Sequence, residues 1–474
     1  MSLTTPGRKR RTVGLPVRPP TAMNAPPPRA RATVRTARDA SAHAAGRLGW
    51  LSGAGLVVAN MVGAGVLLST GFMAQILEPT AILAAWALGA ALALLGAASY
   101  ATIAAVNGRS GGEYRYLSDY LHPSLGYVAG WGSLLLGFAA PVAVDALAVA
   151  AFVRVLVPLP VTGTAAACVV GVTLLHAFDL DASRRSQNVL VAVKLALIVG
   201  LIATGALLGS TSLPDWVPPD ATEGRFLEDF LLQQYWIAFA FSGWNAAVYV
   251  AGEFRDPRRD VVRAVWTGCT AVGVLYLALN WVFVANLDPA AAKVVFAYET
   301  QHATLAHALL ERLVGPVGAM LAAGIIILLF LSAMSAMTFV GPRVYAAMAD
   351  DGYLPRRFRA REGRPPSWSV LLQGTIALAF VLTHDIREAV ASASSVLILF
   401  SGLTALCVLR LRARGAASPP LLTTVAATIY AGCNAWLLYL GVTRFGHVGW
   451  QLLVVVAIAL LAYAATRWRA SRAA

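Results

Sequence analysis

The sequence predicts an all-α polytopic membrane protein with twelve transmembrane helices. Three observations carry this. The 474 residues are 58% hydrophobic and only 13% charged, with a mean hydropathy of +0.67, which is a membrane composition. Twelve apolar stretches approach or exceed the roughly 20 residues that a helix needs to cross the hydrocarbon core. They are 51–77, 80–106, 124–156, 160–177, 188–209, 230–252, 262–286, 313–340, 368–383, 387–409, 418–441 and 448–466. The basic residues are also one-sided. With the N-terminus inside, the inside segments hold 30 of the 37 Lys and Arg. The outside segments hold five, Arg225, Lys293, Arg312, Arg387 and Arg444. This is the positive-inside pattern, and it accounts for the net charge of +14 without a nucleic-acid partner. Both termini are expected in the cytoplasm, and the plasma (inner) membrane is the expected location.

Span one contains its own interruption. Asn60, Gly63 and Gly65 sit in the middle of Leu56–Thr70, where a plain anchor would carry Leu or Val. Glycine weakens a helix by about 1 kcal/mol relative to alanine and lets backbone approach closely. Before this span, residues 1–47 form a basic, Pro-bearing tail with no acid before Asp39. They cannot bury a core, so a disordered cytoplasmic tail is expected; the composition also suits a targeting segment, and Met23 offers a later start. After span two, Asn107–Tyr116 turns at Gly111-Gly112 and reads as a short interfacial helix. Span three, 124–156, is long enough to tilt or bend. It carries Pro141, Asp145 and Arg154. A carboxylate inside a span faces the bundle interior or water by default, so Asp145 either meets a cation in the pathway, caps the helix beside Pro141, or pairs with Arg154.

Span four ends near His176, and Asp179-Leu180-Asp181 follows in a loop. Span five contains Lys194, one of three lysines and the only one in a span. Desolvation makes such a lysine able to gain and lose a proton; the alternative is snorkelling to the inner interface. Span six repeats the interruption, with Ser242, Gly243 and Asn245 at the centre of Tyr235–Ala247. The outside segment 287–312 carries His302, His307 and Glu311, read as surface. Span eight ends in the small polar run Ser332–Thr338, which suits close helix packing or a polar cavity wall, and a basic inside loop, Arg343–Arg364, follows. Spans eleven and twelve, 418–466, look like scaffold or interface helices, and 467–474 is a short cytoplasmic tail. The cysteines, Cys168, Cys269, Cys407 and Cys433, share no short motif; no disulfide framework, metal site or cofactor is implied.

Broken helices survive in a bilayer only where they line protein or a water cavity. Spans one and six each open a five-helix set, so the second set is inverted relative to the first, and matching interruptions in two inverted halves point to a transporter binding site. The half-helix N-terminus after Gly63 offers amides and positive dipole to an anion. Carbonyls freed near Ala59–Met61 and Phe239–Phe241 offer themselves to an ammonium. An α-amino acid carries both groups. A membrane-embedded transferase would need a reactive His/Asp cluster or a sizeable catalytic loop, and only His176 and Asp179-Leu180-Asp181 gesture at one. A solute sensor would be favoured by a large soluble domain.

The motifs in order are Asn60-Met61-Val62-Gly63-Ala64-Gly65, Gly111-Gly112-Glu113-Tyr114-Arg115-Tyr116, Lys194, Phe239-Ala240-Phe241-Ser242-Gly243-Trp244-Asn245 with Glu253 and Asp256-Pro257, and Arg343-Val344-Tyr345-Ala346-Ala347-Met348 to Leu354-Pro355. Together, over about 48–466, they resemble the amino acid–polyamine–organocation (APC) superfamily, and within it the L-type and related bacterial amino-acid permeases. The resemblance implies a LeuT-type five-plus-five inverted repeat, 48–209 and 230–410, with helices one and six broken and two accessory helices at 418–466. It implies a secondary active transporter, a proton-coupled symporter or exchanger, moving amino acids by alternating access, with neutral ones favoured. The alternative substrate is a cationic amino acid or polyamine. Gly63, Ala64 and Gly65 would bind the substrate carboxylate. Asn60, Met61, Phe239, Ala240 and Ser242 would line the amino-group and side-chain region, with Phe239 the aromatic gate. Lys194 would serve coupling in place of sodium, and Asp145 and Trp244 would bear on side-chain selectivity. Ala64 stands where relatives often have Ser. The external turn 157–160 lacks a cysteine, so a disulfide-linked heavy chain is not expected.

Overall fold

The computed structural model describes residues 48–178, 180–215, 218, 224–287, 305–361, 364–415 and 419–473. The expected tail at 1–47 lies outside them, as do Asp179 and His302. The described chain is a bundle of helices: α1 (Trp50–Met61), α2 (Ala64–Ala74), α3 (Pro79–Val106), α4 (Gly112–Tyr120), α5 (Pro123–Gly132), α6 (Ala139–Leu156), α7 (Val161–Phe178), α8 (Leu180–Leu208), α9 (Phe226–Ala240), α10 (Ala246–Tyr249), α11 (Pro257–Asn286), α12 (Leu305–Val314), α13 (Pro316–Asp350), α14 (Ser367–Thr383), α15 (Ile386–Ala413), α16 (Leu421–Arg444) and α17 (Gly446–Ala473). Among the described residues nine helices are long and apolar enough to cross a membrane, or ten if the bent pair α1–α2 is one span. The other two expected spans are the interrupted α9–α10 and the 17-residue α14. Proline stands at the start of α3, α5, α11 and α13, where its missing N–H costs nothing.

Both expected interruptions are present. α1 and α2 meet at a 46° bend across extended backbone at Val62 (φ −80°, ψ 95°) and Gly63 (φ −144°, ψ −150°). Between α9 and α10 the chain turns through Phe241–Asn245, with Gly243 at φ +104°, a conformation that only glycine adopts without strain. The long third span also bends as expected. A π-helical turn, Ser133–Phe138, joins α5 to α6, and Pro141, lacking an N–H, cannot pair with the carbonyl one turn earlier. α4 is the short helix expected after Gly111-Gly112, and both glycines have positive φ.

Two expectations needed correction. α13 does not stop at 340 but runs through Pro342 to Asp350. Arg343 donates its guanidinium to the Phe339 carbonyl and lies 3.7 Å over the Phe339 ring, so the chain past the proline stays helical and buried. The residues after Asp179 are helical from Leu180, not a loop, and the outside segment 287–312 ends in α12, where His307 approaches Glu311 at 3.7 Å. α16, expected as a scaffold or interface helix, packs on α3, α9 and α15 and buries Tyr430 and Asn434. The small polar run of α13 does meet polar partners. His176 Nε2 is 2.8 Å from Ser335 Oγ, which donates to Gln187 Oε1 at 2.8 Å.

The Gly243 turn generates a prediction. A methyl group there would lie 2.8–2.9 Å from the carbonyl and Cβ of Asn60, besides the unfavourable φ. Gly243→Ala should cost about 1–3 kcal/mol and lower the thermal denaturation midpoint in detergent. Gly171→Ala, on a helix face with nothing within 4 Å, should leave it unchanged or slightly raised. Equal midpoints would remove the Gly243 turn from the stability account.

Candidate functional site

The two interruptions are packed on each other, and glycine makes this possible on both sides. A Cβ on Gly65 would fall 2.9 Å from both the amide nitrogen and Cβ of Ala240, so α2 begins directly against the end of α9. Gly243 in turn rests on the backbone of Asn60, at the end of α1. Each break therefore seats a glycine on the backbone of the other.

A broken helix leaves carbonyls without amide partners, and burying them unpaired costs about 1–3 kcal/mol each. Two side chains supply donors. Lys194 of α8 is fully buried, and its Nζ donates to the carbonyls of Ala59, at 3.0 Å, and of Val62. Tyr276 of α11 directs its hydroxyl at both breaks at once, 2.6 Å from the Met61 carbonyl and 3.0 Å from the Ala240 carbonyl. Its ring packs edge-on against Trp86 and Phe241, with centroids 5.5 and 5.1 Å away. The carbonyls of Ala59, Met61 and Ala240, which the sequence reading offered to a substrate ammonium, are thus already engaged by protein donors. The Phe239 carbonyl accepts from the Ser242 amide at 3.0 Å.

Asp145 lies in mid-helix on α6, 4% exposed. A methyl on Gly63 would sit 3.5 Å from its Oδ1 and 3.1 Å from the Ala333 methyl. Its charge acts on Lys194 and on Tyr276. It faces the break in span one rather than Arg154, which is exposed about 13 Å further along the helix at 1.5 Å per residue.

A cleft opens beside the breaks, bounded by Asn60, Phe138, Ser242, Asn245, Met337 and Leu397. Asn60 turns its amide to the Leu56 carbonyl at 3.0 Å. Of the residues singled out from sequence, Asn60 and Ser242 line this cleft. Met61, Gly65 and Ala240 contribute the interlocked backbone, Phe239 is buried on α9, and Gly63 and Ala64 form the start of the second half-helix. Trp244 points to a different cavity, its ring 4.6 Å from that of Tyr100 in an edge contact.

The charged end of the bundle holds a second polar centre. Glu113 of α4 is 2% exposed and accepts from Tyr100 at 2.6 Å, Tyr249 at 2.9 Å and Asn245 at 3.0 Å. Burial pushes its carboxyl above the ordinary range, and these three hydrogen bonds pull the other way. Nearby, Arg343 donates to Glu253 at 3.0 Å. Tyr114 and Arg115 converge on Asp351, at 2.5 and 2.6 Å. Leu48 pairs with the chain after α10 through Leu48 N–Glu253 O, 2.9 Å, and Arg255 N–Leu48 O, 3.0 Å. Tyr276, Tyr100 and Tyr249 gave no signal in the sequence. Glu113 and Asn245 lay within quoted motifs, but no role followed from their positions.

The family model for amino acid permeases matches residues 48–465, which is the bundle up to the last turns of α17. The chain belongs to the amino acid permease family, within the APC superfamily. The permease is 24% identical to the b(0,+)-type amino acid transporter 1 of Mus musculus over 76% of its own chain and 74% of that protein. It is 25% identical to the human protein of the same name over 77% and 76%. With the human Large neutral amino acids transporter small subunit 2 it shares 25% identity over 65% and 58%. The family is one of integral membrane transporters, not enzymes.

Tyr276→Phe should keep the aromatic contacts of the permease while stripping a donor from two buried carbonyls. We expect a loss of about 1–3 kcal/mol, read as a lower denaturation midpoint, with faster amide hydrogen exchange at Val62–Gly65 and Phe241–Gly243. An unchanged midpoint and exchange pattern would show that the hydroxyl does not hold the breaks.

Proposed function

We propose that the permease is a secondary active transporter of neutral amino acids, working by alternating access with twelve crossings, a five-plus-five inverted repeat and both termini cytoplasmic. One observation carries the reading: the breaks of α1–α2 and α9–α10 lie against each other, each with a glycine on the other's backbone. The first amides of α2, beginning at Ala64, have no intrahelical acceptor and sit at the positive end of the helix dipole, where a carboxylate is favoured. The substrate carboxylate binds at Gly63, Ala64 and Gly65. Its side chain enters the cleft of Asn60, Phe138, Ser242 and Met337, with Met61, Phe239 and Ala240 shaping the region around the amino group and Phe239 closing over it. The lining of that cleft carries no charged side chain, which favours neutral substrates. Asp145, the group that would favour a cationic amino acid or polyamine, sits instead beside Gly63 and acts on Lys194.

Lys194 is the coupling group. As an ammonium it holds the carbonyls of Ala59 and Val62. On losing its proton it retains two N–H donors but loses the charge that strengthens both bonds. Proton loss therefore loosens the end of α1, which links protonation to the conformation of the break. Exchange without net proton movement is the alternative mode. The turn 157–160 has no cysteine, so a heavy chain joined there by a disulfide is not part of the proposal.

The test is uptake of radiolabelled leucine and lysine into proteoliposomes, with and without an inward proton gradient or preloaded amino acid. We expect leucine uptake stimulated by the gradient or by preloading, and Lys194→Ala should abolish the pH dependence. Uptake of lysine but not leucine would move the substrate to the cationic class. Retained pH dependence in Lys194→Ala would take that residue out of coupling, and no uptake of any amino acid would overturn the reading.

A further inference from the structure

A second cavity lies on the far side of the α9–α10 turn, walled by α3, α9, α15 and α16. Ser242, Gly243, Asn245 and Leu397 border both this cavity and the cleft beside Asn60, so the turn is the partition between two spaces. Polar groups deep in a membrane helix bundle are expensive and point to function, and this cavity gathers several that the transport reading does not use.

The decisive atom is Gln234 Oε1. Gln234 is 2% exposed, and among the described residues this oxygen has no hydrogen-bond partner. Its amide orientation is set by Nε2, which donates to the Ala85 carbonyl at 3.1 Å, so the free atom is the acceptor. The other amide and phenol donors around the cavity are spent within the protein. Asn434 Nδ2 donates to the Tyr430 carbonyl at 2.8 Å, Tyr430 Oη to Ser401 Oγ at 3.2 Å, and Asn245 Nδ2 to Glu113 Oε1 at 3.0 Å. Among these amide and phenol groups, the atom left open is the acceptor Gln234 Oε1. The lining includes one carboxyl, Glu113, and no Lys, Arg or His, so an anion finds no counter-charge there. The rest of the wall is apolar, chiefly Leu92, Ala93, Ala238, Phe241, Ile398 and Leu437.

We propose that this cavity is a second ligand site, for a hydrophobic primary amine that donates to Gln234 Oε1 and lays its apolar body along α9 and α16. A carboxylate or phosphate is excluded by the lining charge, and a neutral alcohol satisfies the acceptor without gaining from the acid. Because the Ser242–Gly243 turn is one wall, an occupant braces the break and slows transport without competing for the substrate cleft. This last consequence rests on the transport reading; binding itself does not.

The test uses the full chain in lipid nanodiscs, titrated calorimetrically with 4-phenylbutylamine and its neutral and anionic twins, 4-phenylbutanol and 4-phenylbutyrate. Empty nanodiscs correct for partition into lipid. We expect saturable amine binding at least about tenfold tighter than the alcohol, the size of one hydrogen bond to a charged group, and no saturable binding of the carboxylate. Gln234→Leu should weaken the amine by about tenfold, and Ala238→Phe, which fills the cavity, should remove it. The wild-type comparison stands even if a variant misfolds. Equal binding of amine and alcohol, saturable binding of the carboxylate, amine uptake no greater than in empty nanodiscs, or amine binding unchanged in both variants would each overturn the proposal. A failure of amino-acid uptake in proteoliposomes would leave these outcomes intact, so the two readings fail separately.

Discussion

Lipid offers no hydrogen bonds, so every carbonyl freed where a spanning helix breaks must find a donor inside the protein. Here Lys194 and Tyr276 provide them. Lys194 ties α8 to the end of α1, and Tyr276 ties α11 to the ends of α1 and α9 together. The glycines complete the arrangement by letting backbone rest on backbone, Gly65 on Ala240 and Gly243 on Asn60. The two breaks thus behave as one unit, held by one ammonium and one hydroxyl. Lys194 acts on the end of α1, and Tyr276 on both breaks; in the transport reading this is the route from a proton on Lys194 to the shape of the site.

The charged end of the bundle is tied by a different chemistry. Glu113 draws Tyr100, Asn245 and Tyr249 onto one carboxyl, joining α3, α4 and the chain around α10. Arg343–Glu253 and Asp351 with Tyr114 and Arg115 link α13 to the segments after α10 and in α4. Leu48 adds two backbone hydrogen bonds just before α1. The α9–α10 break therefore touches Tyr276 at one side and Glu113, through Asn245, at the other. In the transport reading, movement at that break is resisted at both places, and the ion pairs at this end must loosen for the substrate to leave.

Much of this was legible in the residues because it broke a pattern. Asn60, Gly63 and Gly65, and likewise Ser242, Gly243 and Asn245, stand out in runs that should be aliphatic, and Lys194 stands out as a lone charge. Tyr276 does not: a tyrosine in an apolar helix reads as ordinary core, and the carbonyls it serves carry no sequence signature at all. Glu113 sits in the first turn of a short interfacial helix, where acids are common, so its burial was invisible. α13 runs past the expected start of a basic loop at Arg343 because Arg343 folds its guanidinium back onto the Phe339 carbonyl and stays buried. Tyr430 and Asn434 were hidden in a helix whose remaining residues suggest scaffold or interface.

The central claim is that the interlocked breaks are the place where the amino acid binds. Its most direct test is a cryo-electron-microscopy structure of the permease saturated with an amino acid that it transports. The account predicts ligand density between the two breaks, its carboxylate on the amides of Ala64 and Gly65 and its side chain toward Asn60 and Ser242. Density confined to the cavity beside Gln234 and Asn434, or lying away from both breaks, would contradict it.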